Sequence, residues 1–486
     1  SSPWQLGARL PKAWACGSAR HGRAHCRAMR SPGSLREEAI ELLKLATPFA
    51  LSLVSRNVHQ ITDLAVLGNF GTPELAAASL ATVWLNIVDV PVYGAVGQLS
   101  TVCGEAWGAG NLPLVSTWLQ IVLLMVLVGS VPLLVGRWFT AEILALCGFD
   151  AALAARAGLY ARWLQLSTPF DLVYYALREY LAAQGINIPA MVNDAFFVFV
   201  NGGVNYLFVF SFGWGLRGSA AATTLTRLLL CASFSAYCFG LRGYHRRTWR
   251  CSCKEVMVRR RWGALLALVG PAVLGSLAEE LQFEAISVIA GRLGEVVISA
   301  HNLLVMILTI CFTLADGLSQ AAGIRVANCL GAGEPQRAKR ISNLSLALTV
   351  ALGLGIGVLL LAFGKNVDAI LSSDPQVRQQ LDRLRLLSVG TIVSLLAFST
   401  IYAVLLKQGR GMLPGVVIPV CCWLIGFPTS LLLGLHMGLD LLGLWIGICL
   451  GYGLALAILT VLLFLSDWPA IAERSRERAE AAGPEA

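Results

Sequence analysis

The sequence predicts an all-α polytopic membrane protein, with about twelve transmembrane helices arranged as two pseudo-symmetric six-helix bundles. Three observations carry that fold class. Hydrophobic residues fill 56% of the 486 positions and charged residues only 13%, about half the charge of an ordinary soluble domain. Apolar runs of spanning length, about 20 residues, alternate with short polar punctuation. Finally, one stretch occurs twice. Leu42 to Pro48 returns as Leu265 to Pro271, Leu67 to Gly71 as Ala290 to Gly294, and Gly108-Ala109-Gly110 as Gly331-Ala332-Gly333, each displaced by 223 positions. The match continues more loosely: Gln184-Gly185 with Pro189 is echoed by Gln408-Gly409 with Pro414.

In chain order, residues 1–38 form a basic tail with Arg9, Lys12, Arg20, Arg23, Arg27, Arg30 and Arg36, and no acid before Glu37. That is the profile of an organelle transit peptide. Because the chain begins at Ser1 and the first methionine is Met29, a truncated or over-extended gene model is the favoured explanation. The first bundle, 39–240, holds spans near 40–68, 75–98, 114–136, 158–182, 188–212 and 216–240. A basic linker, 241–262, follows. The second bundle, 263–465, holds spans near 263–290, 296–320, 341–364, 384–407, 411–435 and 439–465, and a charged tail occupies 466–486. An even number of spans puts both ends on one side. The linker (Arg242, Arg246, Arg247, Arg250, Lys254, Arg259, Arg260, Arg261) and the 8/9 loop (Arg325, Arg337, Lys339, Arg340) fall on that side, whereas the 1/2 loop from Asn69 to Glu74 has no Lys or Arg. Both termini are therefore expected in the cytoplasm. The net charge of +9 is thus an orientation signal, and nucleic acid is not an expected partner. The 13 cysteines mostly lie in apolar runs, where they act as small hydrophobes. Cys251-Ser252-Cys253, near His245, has no second pair at zinc spacing, so neither a metal centre nor a cofactor is expected.

Charged groups at bilayer depth are expensive and need a reason. The first span carries Ser52, Arg56, Gln60 and Asp63, whose spacing of four, four and three predicts one shared face. Asp63 lies fifteen residues past Pro48, about 22 Å along the axis, in the outer half. The fifth span places Asp194, Asn201 and Asn205 on one face, suited to a cation or a carboxylate, or to gluing helices together. The seventh places Ser276, Glu280 and Glu284 on one stripe with Glu279 about 100° round the helix. Like charges this crowded favour the uptake of a proton or a cation. Asp316 and Asp89 are further single acids. Pro48, Pro91, Pro132, Pro169, Pro271, Pro419 and Pro428 interrupt spans, and Pro48 and Pro271, related by the repeat, are candidate hinges. Duplication of a membrane half is characteristic of secondary transporters.

Ala77-Ala78-Ser79-Leu80-Ala81 followed by Cys103-Gly104-Glu105-Ala106-Trp107-Gly108-Ala109-Gly110 resembles the first-half signature of the multidrug and toxic compound extrusion (MATE) transporters. Arg325 to Gly333 (RVANCLGAG) is similar to the second-half signature, and Arg178 to Gly185 (REYLAAQG) with Pro189 to the segment joining helices four and five. The resemblance runs from about residue 40 to 465 and is to eukaryotic-type members. It implies two bundles facing across a central cavity, and export driven by inward proton or sodium movement. It also implies roles. Asp63 stands where prokaryotic members have a coupling aspartate, with Na+ an alternative guest there. Asn201 and Asn205 match the same site, and Glu279 and Glu284 match paired seventh-helix glutamates. The two tryptophans usual between those glutamates are Glu280 and Leu281 here, and the acids often carried in helices eight and ten are Met306 and Leu396.

The expected function is secondary antiport by a monomer: organic cations, xenobiotics or secondary metabolites leave in exchange for protons or sodium. Asp63, Gln60, Asn201, Asn205, Glu279, Glu280 and Glu284 would bind the coupling ion or the substrate, with Arg56, Asp194 and Asp316 secondary. Whether coupling runs through Asp63, the helix-seven cluster or both is left open. A plasma or vacuolar membrane is expected, with an organelle envelope the alternative. Runner-up functions are an exporter of organic anions such as citrate or a phenolic acid, and a flippase for lipid-linked precursors. A flippase should have a strongly cationic cavity, and the intramembrane charges here are mainly acidic. A membrane-embedded enzyme is disfavoured because no span carries a His-rich or paired metal-ligand motif.

Overall fold

The computed structural model describes residues 34–250 and 253–480; Cys251-Ser252 and most of the basic tail lie outside them. Among the described residues twelve long helices follow in order: α1 (Leu35–Phe70), α2 (Thr72–Gly108), α3 (Leu112–Trp138), α4 (Ala151–Leu164, passing through a 3-10 turn, Gln165–Ser167, into Thr168–Ala182), α5 (Ile188–Ser211) and α6 (Gly215–Leu241). Then come α7 (Arg259–Leu293), α8 (Glu295–Gly331), α9 (Pro335–Leu371), α10 (Pro375–Lys407), α11 (Met412–His436) and α12 (Asp440–Phe464). A thirteenth helix, α13 (Trp468–Glu480), closes the described chain. Ten of the twelve are long and apolar enough to cross a membrane. The exceptions are α1, whose charges include Arg56 and Asp63, and α4, which the 3-10 turn divides into pieces of 14 and 15 residues and which carries Asp171, Arg178 and Glu179.

Local chemistry sets the helix ends. Ser34 and Glu37 form a reciprocal capping box that opens α1, satisfying two otherwise orphaned backbone donors. The duplicated Gly-Ala-Gly ends α2 and α8: Gly110 and Gly333 adopt left-handed φ of 78° and 73°, which glycine accepts without a Cβ penalty. These two helices run to Gly108 and Gly331, well past the ends expected near 98 and 320. Counting apolar residues measures the bilayer, and here the helices continue beyond it because their polar residues find partners. The leading glycine of the first copy, Gly108, faces the Asn328 carbonyl with no room for a Cβ, and Gly331 faces the Glu105 carbonyl in the same way. Residue 105 and residue 328 are themselves 223 apart, so the two contacts are images of each other.

The two largest apolar cores lie mainly one in each half, with a smaller cluster around Leu67 and Tyr160 in the first half and another, around Leu42, Phe49 and Leu318, between the halves. Of the two largest, Trp118, Leu172, Tyr180 and Phe234 anchor one; Phe398, Leu405, Ile418 and Trp445 anchor the other. Between the halves α1 packs on α8 and α2 on α7, the same pairing read from either side. Close backbone approach at Gly317 against Ala50 lets α1 and α8 touch along their inner turns. The halves are also tied by polar contacts. Glu38, 2% exposed, accepts from Arg325 at 2.5 Å and Arg337 at 2.6 Å. Lys407 Nζ donates to the Gly97 carbonyl at 3.0 Å and Ser100 Oγ at 2.8 Å. Asn328 Nδ2 donates to the Ala183 carbonyl at 3.3 Å. From α13, Arg478 holds Glu105. The last tie toward the opposite end is Asn57 Nδ2 to Thr313 Oγ1, 2.8 Å. Among the described residues no hydrogen bond joins the halves beyond it, so they are joined from the end that bears the termini to the middle.

Candidate functional site

In the first half, α1, α5 and α6 bring four side chains together. Asp63 is buried, and its Oδ1 accepts from Asn201 Nδ2 and Asn205 Nδ2, both at 2.8 Å. Its Oδ2 accepts from Thr223 Oγ1 at 2.9 Å. All the donors are neutral, and among the described residues no arginine or lysine pairs with this carboxylate. Asn205 Oδ1 is buried without a hydrogen-bond partner. A carboxylate beside a spare amide oxygen is a donor set suited to a proton or a hard cation.

The rest of the α1 face departs from expectation. Gln60 is exposed and takes no part in the Asp63 cluster, because it stands about 60° round the axis from Asp63. His59 takes the buried place instead. Arg56 does not satisfy Asp63 either. It lies 3.8 Å from Asp171 and rests over the rings of Tyr93 and Tyr175, with centroids at 6.0 and 5.6 Å. Asp171 also takes Arg227 at 3.1 Å and the Tyr93 hydroxyl. Sequence reasoning missed this ion-paired layer, whose signal is Asp171 in α4 and Arg227 in α6, opposite charges that both fall inside spans. Thr223 gives no signal, since hydroxyls are common in spans. On α5 all three polar residues are buried as expected, but Asp194 serves different partners, Ser52 and, at 2.5 Å, Tyr174. Asp89 is locked to Arg137, an internal brace.

In the second half Glu279, Glu280 and Glu284 are half-buried on α7, and among the described residues no lysine or arginine pairs with them. Glu279 lies within electrostatic reach of Glu280 and of Asp316 on the facing α8, which brings that single acid into the cluster. Ser276 bonds Tyr402 at 3.1 Å, and Gln282 turns into the core to donate to the Cys422 carbonyl at 3.0 Å. A cavity of about 520 Å³ opens between α10 and α12, lined by Arg383, Leu387, Gly390, Thr391, Ser394 and Tyr452. Tyr452 lies within electrostatic reach of Glu279. Met306 is exposed and Leu396 fully buried in the core. The position related to Asp63 by the repeat is Ile286, so the two halves share a backbone plan but not a chemistry. Pro48 and Pro271 both sit inside helices, and Gly415 packs against the Pro271 carbonyl.

The MatE family profile matches residues 48–207 and again 271–432. The chain belongs to the MatE family. The two matches begin 223 positions apart, at the two prolines of the repeat. An uncharacterized transporter of Schizosaccharomyces pombe is 31% identical over 423 residues, 85% of this chain and 76% of that one. Multidrug and toxin extrusion protein 1 of Homo sapiens is 28% identical over 424 residues, 85% of this chain and 72% of its own. Among solved structures, the eukaryotic MATE transporter AtDTX14 superposes with a TM-score of 0.84 at 24% identity, covering 92% of this chain and 99% of its own. The Vibrio cholerae transporter VcmN in the bent form gives 0.78 at 19%, covering 92% and 99%. This MATE chain is therefore a multi-pass integral membrane transporter with the MATE fold, and the family is one of transporters, not enzymes.

Proposed function

We propose that this MATE transporter is a secondary antiporter that exports organic cations, xenobiotics or secondary metabolites in exchange for protons or sodium, by alternating access. The observation that carries the reading is Asp63: a buried carboxylate with neutral partners only, in the half of the molecule beyond the Asn57–Thr313 tie. A structural acid would be held by a cation, as Asp89 and Asp171 are; one left open is placed to gain and lose a positive guest. The half-buried α7 glutamates supply a second, cation-binding subsite, linked through Tyr452 to a cavity of about 520 Å³, within the usual range for a small-molecule site. Occupancy of one site biases the facing equilibrium against the other, which makes exchange obligatory when the two guests prefer opposite states.

In this reading both termini lie in the cytoplasm, the membrane is the plasma or vacuolar one, and the chain works as a monomer; that the hydrogen bonds between the halves end at Asn57–Thr313 supports opening on the side away from the termini. A gradient supplies the energy and no cofactor is required. Relatives named multidrug and toxin extrusion proteins and a MATE solved in complex with MaD3S support a small-molecule substrate. The test is efflux of a fluorescent organic cation from proteoliposomes, with proton and sodium gradients imposed separately. Acceleration by one gradient is expected; efflux indifferent to both would overturn the proposal.

A further inference from the structure

At the end of the molecule that bears the termini, α3, α7 and α13 enclose a second cavity of about 270 Å³, away from the sites above. Its wall includes Trp118, Arg260, Arg261, Arg474, Glu477 and Arg478. Two of the four guanidiniums are occupied: Arg261 holds Glu255 and Arg478 holds Glu105. Arg260 and Arg474 are exposed, and among the described residues neither has an ion-pair partner. A further cation, Arg410, lies within electrostatic reach of Arg474. Arg410 is tied to the Leu462 carbonyl at 3.4 Å and to Ser466, and burial, then the neighbouring Arg474, push its guanidinium down from its ordinary value. Of the charged groups in the wall four are guanidiniums and one, Glu477, a carboxylate, so the lining favours an anionic guest.

The depth is right for a membrane surface. Trp118 lies six residues into α3, about 9 Å along its axis, Arg260 and Arg261 open α7, and α13 begins just after α12 ends. Tryptophan beside arginine at this level is the setting in which basic pockets between helices hold anionic headgroups. Helix α13 itself has one buried face, Trp468, Ile471, Ala472, Ser475 and Ala479, and presents Arg474 from its other side.

We propose that this cavity binds a phosphate-bearing anion, gripped by Arg260 and Arg474 with Trp118 flanking it, and that the anion fastens α13 to α3 and α7. Guanidinium forks match phosphate oxygens bidentately. The phosphate can come from a lipid headgroup or from a soluble compound, and the experiment separates the two. Full-length protein in nanodiscs of phosphatidylcholine, with and without phosphatidic acid, is titrated and retained lipid is read by native mass spectrometry, with inorganic pyrophosphate as the soluble competitor.

Phosphatidic acid should be retained, and the Arg260→Gln/Arg474→Gln double variant should weaken retention about 25-fold, from about fivefold per arginine. Arg259→Gln, exposed but outside the wall, should change it less than about twofold. Displacement by pyrophosphate assigns the site to soluble phosphates, and resistance assigns it to the headgroup. Bound anion should also slow tryptic cleavage after Arg476 in the wild type and not in Arg260→Gln. Absence of binding by either probe, or an Arg259→Gln loss equal to that of Arg260→Gln, would overturn the site; binding without protection of α13 would overturn the fastening.

Discussion

Replacing Asp63 with asparagine removes the charge while leaving every neighbouring group a partner. The retained oxygen can face Asn201 and Asn205, whose Nδ2 atoms already converge on one carboxylate oxygen at 2.8 Å. The new amide can then donate to Thr223 Oγ1, whose own hydrogen has a second acceptor in the Ser219 carbonyl at 3.1 Å. Three charge-assisted bonds become neutral ones, a loss of about 1 kcal/mol each, offset by no longer desolvating a buried charge. The folded protein should therefore melt within about 5 °C of the wild type. Gradient-driven efflux should fall about 100-fold, the scale of a full coupling free energy of about 3 kcal/mol, while downhill equilibration of the organic cation persists. The assay is proteoliposome efflux with and without an imposed gradient, beside a thermal melt. Efflux within about threefold of the wild type, with an unchanged melt, would refute a coupling role for Asp63.

Gln60→Ala should leave transport unchanged, since Gln60 is exposed and outside the Asp63 cluster; a loss as large as that of Asp63→Asn in the same assay would mean the cluster is drawn wrongly. The combined change of Glu279, Glu280 and Glu284 to Gln should weaken binding of a cationic probe at least about tenfold, read by calorimetry, while a neutral probe of similar size is unaffected. Gly331→Ala drives a Cβ into the Glu105 backbone, an overpacking cost of about 1–3 kcal/mol. It should shift the population away from closure at the termini, read as a longer spin-label distance between positions 188 and 339. Glu38→Gln removes the buried carboxylate shared by Arg325 and Arg337 while Arg337 keeps Glu334 at 3.2 Å, so the same distance should lengthen and the melting temperature should fall, for a stability loss of about 1–3 kcal/mol.

Much of this was legible because membrane chemistry is strict. Uncompensated acids in apolar runs point to Asp63 and to Glu279–Glu284, and the repeat shows which glycines must matter before any contact is known. What escaped has physical causes. Gln60 and Asp63 fall within one broad helical stripe, yet about 60° of rotation is enough to put one in contact with α5 and the other outside. Thr223 is an ordinary hydroxyl until tertiary structure aims it at a carboxylate. The partners of Asp171 and of Asp194 come from helices far apart in sequence, and periodicity within one helix cannot choose among them. The ends of α2 and α8 fall short in a hydropathy reading because hydropathy registers lipid, whereas those last turns are stabilised by the opposite half of the protein.

The facing carbonyls at Gly108 and Gly331 bear on leakage. The contact surfaces at these two points are main chain, so what must part and reseat there is the backbone itself together with the few side-chain ties beside it, Arg478 to Glu105 and Asn328 to the Ala183 carbonyl. Since the two contacts are mirror partners under the internal two-fold, rocking one lobe must unseal both together.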